Sequence, residues 1–72
     1  MKPPGKRWRL IRTAPLDIIE TKHGSRREAY AAAGEVRRLY RAGATSITGM
    51  SVHHWDRKSG RWCLFENLTM EQ

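Results

Sequence analysis

Cys63 and the three histidines His23, His53 and His54 are the residues of this 72-residue chain best suited to covalent or metal chemistry. A thiolate beside an imidazolium is an activated nucleophile. A hairpin joining residues 45–55 to 61–68 sets His54 opposite Cys63 and so brings such a pair together. The competing role for Cys63 is that of a small buried hydrophobe on the helix-facing side of a sheet. No oxyanion donors accompany the pair, so acyl transfer is unsupported. Ser51, His53 and Asp56 are close in sequence, but strand geometry does not converge them on one point. His53 and His54 are adjacent on a strand and point to opposite faces, so they cannot share an ion. His54, Cys63 and His23 supply at most three ligands where structural zinc takes four. The glycines follow neither GxGxxG nor GxxxxGK[ST], and the seven acids are scattered, which removes phosphate-cradling loops and paired-carboxylate chemistry. The chain reads as non-enzymatic, with no cofactor, no metal and no small-molecule substrate.

What remains is charge. Fourteen Lys and Arg against seven Asp and Glu leave +7, and ten of the fourteen are Arg, the residue suited to bidentate phosphate and base contacts. Lys2, Lys6, Arg7, Arg9 and Arg12 place five cations and no acid in the first twelve residues. Arg26, Arg27, Arg37, Arg38 and Arg41 fall on one side of a helix, with Tyr30 among them. Arg57, Lys58 and Arg61 crowd a hairpin tip. Trp8, Tyr30, Trp55 and Trp62 lie near these cations, and basic surface with aromatic platforms is what nucleic-acid binding requires. Arg7, Arg9, Arg12, Arg26, Arg27, Arg37, Arg38 and Arg41 are the candidate contacts. Plainer roles stand beside this one. A helix presents charged side chains to water whatever its function. A facing Trp55–Trp62 pair stabilises a hairpin by about 0.2–1 kcal/mol with no ligand. Trp8 also suits a core.

A second function class is a protein-interaction module, for example an accessory protein encoded by a phage or mobile element to bind a host factor. Trp55, Trp62, Leu64 and Ile47 would then lie on the sheet face away from the helix, as exposed anchors. The same face could meet its own copy as a homodimer. A membrane-surface role is poorly served, because the apolar stripe of the helix is mostly alanine. No apolar run approaches the roughly 20 residues of a membrane span. No apolar stretch follows Met1–Gly5, and one cysteine cannot close an internal disulfide, so a cytoplasmic location is expected.

The elements that must position these residues follow from patterning. Residues 1–5 read as a flexible arm, 6–68 as a single domain and 69–72 as a fraying tail. A domain of this length buries a thin core, which self-association would supplement. Trp8 and Leu10 alternate with Arg7 and Arg9, predicting a strand over residues 6–13 that Ala14-Pro15 ends. Residues 17–22 suit either a short strand or an irregular loop. Ser25 followed three residues later by Glu28 is a capping box, and the alanine-rich run to Arg41 before Gly43 predicts a helix over 26–42. Its apolar stripe is Ala29, Ala32, Ala33, Val36, Leu39 and Tyr40. Asp56 facing Arg61 across a four-residue hairpin loop that Gly60 closes aligns Trp55 with Trp62 and Val52 with Phe65. The expected fold is α+β: a small antiparallel sheet of three to four strands with one helix packed on one face.

Overall fold

The computed structural model describes residues 4–71. Its elements, in chain order, are β1 (Trp8–Ala14), β2 (Asp17–His23), α1 (Arg26–Arg41), β3 (Gly49–Asp56) and β4 (Arg61–Leu68). The strands form one antiparallel sheet in the order β2-β1-β3-β4, and α1 packs on one face of it, mainly over β1 and β2. The expected α+β architecture is therefore the observed one, with residues 17–23 forming a full strand.

β1 and β2 are joined by the two-residue turn Pro15-Leu16, with Ala14 opposite Asp17. Pro15 suits the first corner because its φ is fixed and a turn corner requires no ladder N–H. Ser25 caps α1: its side chain accepts from the Glu28 amide at 3.2 Å, and the Glu28 carboxylate accepts from the Gly24 amide at 2.9 Å. The reach back is one residue further than in the standard capping box, which bonds the cap residue itself. At the other end Gly43 adopts φ +67, and the Gly43 and Ala44 amides bond the Tyr40 and Leu39 carbonyls. This paired arrangement satisfies two of the carbonyls that a helix end leaves open.

The core lies between α1 and the sheet. Leu10 and Val52 are fully buried, and Met50, Ala29, Ala33, Val36, Ile47 and Met70 complete the cluster. Alanines on α1 allow the helix axis to approach the strands closely. Leu39 is only half-buried and Tyr40 is 36% exposed, so the apolar stripe of α1 is narrower than its sequence suggests. Met70 corrects the expectation of a fraying tail, since it is 8% exposed within the core and the Thr69 carbonyl accepts from Arg37 Nε at 2.8 Å. Residues 1–3 of the expected arm and Gln72 of the tail lie outside the described residues.

The β3–β4 hairpin closes as expected through Asp56 opposite Arg61, with Trp55 opposite Trp62 and His54 opposite Cys63. Gly60 has φ +66, and Asp56 accepts from the Lys58 and Ser59 amides. Further along, a β-bulge at Val52/His53 shifts the register, so that Val52 faces Glu66 and not Phe65. A bulge adds one residue to one strand and turns consecutive side chains to one face. Phe65 stays on the helix side, 4.9 Å edge-to-face from Trp8, and Glu66 joins it there, bonded to the Tyr30 hydroxyl.

Candidate nucleic-acid interface

The cross-sheet row His23–Trp8–His54–Cys63 marks one end of the sheet. Three segments emerge just beyond it: the approach to β1 with Lys6 and Arg7, the start of α1 with Arg26 and Arg27, and the β3–β4 loop with Arg57, Lys58 and Arg61. Seven cations therefore collect at one end from three separated stretches of chain. The acids nearby are engaged within the fold. Asp56 is held by the loop, Glu28 by the Gly24 amide and Glu66 by the Tyr30 hydroxyl. Hydrogen bonds from the Ser59 side chain and then the Lys58 amide hold Asp56 below its ordinary pKa, so it stays ionised within its turn.

Within this end, Arg26, Arg27, Tyr30, Phe65 and Glu66 line an open groove between α1 and β4. The Arg26 guanidinium lies 5.8 Å from the Phe65 ring centroid, and Phe65 is 46% exposed. Burial, reinforced by the bond to Glu66, raises the Tyr30 pKa, so its hydroxyl remains a donor. At 100° per residue the five helix arginines fall within an arc of about 120° on the flank of α1 that faces β4. That sector carries the helix cations, with an aromatic ring at its N-terminal end.

The eight arginines singled out from the sequence do not all belong to it. Arg9 lies on the opposite face of the sheet, bonded to Glu20 at 3.3 Å and stacked 4.6 Å from the Trp62 ring centroid. Arg12 lies on the helix side of the sheet, donating to Thr21 Oγ1 at 3.2 Å and lining a groove with Ile19 and Leu39. Both are consumed by the alternation of β1, which sends even and odd positions to different faces. Arg38 is bound to Glu35 one turn away, at 2.5 and 3.1 Å. Arg37 spends its Nε on the Thr69 carbonyl. Arg26, Arg27 and Arg41 are exposed, and Arg7 is half-buried.

The tryptophan surface also differs from expectation. Trp55 is only 5% exposed, so it is no surface anchor; Trp62 packs edge-to-face on it at 5.6 Å, with Arg9 over Trp62. Leu64, at 55%, does project from that face, whereas Ile47, expected beside it, is buried in the core against α1.

The two catalytic pairings resolve differently. Cys63 is exposed rather than buried, and its Sγ approaches the Arg61 carbonyl at 4.0 Å, while His54 stacks on Trp8 at 4.4 Å. Ser51 and His53 do meet, at 2.9 Å, because i and i+2 share a face; Asp56 is held by its loop and does not join them. Among the described residues no three His, Cys, Asp or Glu side chains cluster as metal ligands, and no helix is long and apolar enough to cross a membrane.

Phe65 is the residue that sequence reasoning left out of the site. Its neighbours Glu66 and Tyr30 are joined across the fold, and the strand register could not foretell that because the bulge has no signature in residue type. No family model, curated protein or solved structure matches this chain.

Proposed function

We propose that the protein is a small basic accessory protein that binds nucleic acid through the cationic end of its sheet. Lys6, Arg7, Arg26, Arg27, Arg57 and Lys58 neutralise phosphates, and Phe65 offers a ring on which an unpaired base stacks. The observation that carries this reading is the convergence of seven cations from three segments where every neighbouring acid is held by a contact inside the fold. Arg41 extends the interface along the flank of α1. Arg9, Arg12, Arg37 and Arg38 serve the fold. No catalytic step is required of any of them, and a cytoplasmic location accords with the role. The alternative of a protein-interaction face built on tryptophan is weakened by the burial of Trp55.

The test is fluorescence anisotropy with labelled single-stranded and duplex oligonucleotides between about 50 and 200 mM salt. Engagement of about six phosphates gives a log–log slope near −5 on duplex. Replacing Arg26, Arg27 and Lys58 by Ala reduces the slope by about one for each phosphate no longer neutralised. Replacing Arg38 by Ala leaves it unchanged. Absence of binding at low salt, or a slope indifferent to all three substitutions, overturns the proposal.

A further inference from the structure

We propose that the free edge of β2 pairs with the same edge of a second copy, antiparallel about a two-fold axis through Thr21, joining two four-stranded sheets into one of eight. β2 is the outer strand of the sheet, and it carries neither a bulge nor a proline. Ile18 and Ile19, which point to opposite faces, are 68% and 41% exposed. A strand edge with free N–H and C=O groups and exposed apolar side chains is a template for strand addition, and the charges on this edge, Glu20 and Lys22, decide which pairing it accepts.

The direction of the free backbone groups fixes the geometry. The turn closing at Ala14 and Asp17 aims the amides and carbonyls of Asp17, Ile19, Thr21 and His23 at β1, leaving those of Ile18, Glu20 and Lys22 outward. At the two ends the outward amides are already used: Ile18 donates to Asp17 Oδ1 at 2.8 Å and Gly24 to Glu28 Oε2 at 2.9 Å. Glu20 and Lys22 are left as the pair of residues with backbone groups to share.

Side-chain charge then selects the register. An axis normal to the sheet keeps both helices on one side and pairs like face with like face. Centred on Thr21, it sets Glu20 opposite Lys22 of the second copy, twice over, with the two threonines facing each other at the centre. Centring on Glu20 opposes two carboxylates, and centring on Lys22 opposes two ammonium groups; like charges directly opposite are destabilising. The Thr21 register alone matches opposite charges. It also brings a second copy over the apolar groove beside this edge, where Ile19 of β2 faces Ala32, Val36 and Leu39 of α1. β4, the other outer strand, does not offer the same solution. Its bulge puts Phe65 and Glu66 on one face in succession, so an antiparallel self-pairing across that point mismatches faces. The arginine flank of α1 faces β4 and stays uncovered, so this inference is independent of nucleic-acid binding.

Sedimentation equilibrium from micromolar to submillimolar concentration tests it, with circular dichroism to establish that each variant is folded. The wild type self-associates as a dimer. Lys22→Glu, which opposes carboxylates at both pairs, weakens the dimer by about tenfold or more. The double variant Glu20→Lys/Lys22→Glu restores it. The exchange keeps the Arg9 ion pair available, because residue 22 faces Arg9 directly across β1 and β2. A wild type that stays monomeric throughout, association indifferent to Lys22→Glu, or a double variant no better than the single one overturns the proposal.

Discussion

The Arg9 guanidinium lies 4.6 Å from the centroid of the Trp62 ring while its Nη1 holds Glu20 at 3.3 Å. One side chain thus ties β1 to β2 and reaches across β3 to β4 on the face away from the helix. Its Nε is buried without a partner, which offsets part of what the stack contributes. Arg9→Ala therefore costs about 1–2 kcal/mol in urea unfolding. Arg9→Met, which keeps the stem on the indole and removes the unpaired N–H, costs less than half as much. Neither substitution alters the salt slope of nucleic-acid binding.

The start of α1 rests on Ser25, whose oxygen satisfies the Glu28 amide. Ser25→Ala removes that acceptor and costs about 1 kcal/mol, measured by chemical denaturation; Ser25→Asp retains it. Because Arg26 and Arg27 occupy the first two positions of the helix, fraying there also blurs the cationic groove, and binding weakens in step with stability.

Met70 is buried beneath α1 in the last described turn of chain. Met70→Ala opens a cavity at the core and costs about 2 kcal/mol or more. Were the tail frayed, the same change would be silent, so a single denaturation curve decides between the two.

Stability depends on pH through His53 and His23. Burial first, and then the neighbouring Arg9, pushes the His53 pKa below its ordinary 6.5; burial and Arg12 do the same at His23. The folded state thus takes up these protons less readily than the unfolded chain. Stability is level above about pH 6.5 and falls as pH drops below it; in stronger acid it falls further, as Asp56, held ionised by its loop, takes up a proton. His53→Gln flattens part of that decline in thermal melts recorded from neutral to acidic pH.

Much of this molecule is legible in its residues, for identifiable reasons. The Ser25–Glu28 spacing, the alanine run and Gly43 fix α1 locally, and Asp56 with Gly60 fixes the β3–β4 loop, so both needed only short-range chemistry. β2 stayed ambiguous because it is an edge strand, exposed on both faces and without alternation. The cationic surface was legible as composition but not as placement. Arg9 and Arg12 are drawn to opposite faces of β1 by strand pleating, and Arg38 is paired with Glu35 one turn away. The groove at Phe65 depends on the bulge at Val52/His53, a decision of tertiary packing that residue types do not announce. Trp55 is covered by Trp62 on a face where the alternating pattern promised exposure.

The two hairpin tips point in opposite directions along the strands. One end carries the basic segments; the other carries the Pro15-Leu16 turn, with Leu16 wholly exposed beside Asp17. Such lopsidedness makes the molecule an electrical lever. On the proposed function, a polyanion's field turns the basic tip forward before contact, so that encounters are made end-on and a thicker ionic atmosphere slows capture more than it hastens release.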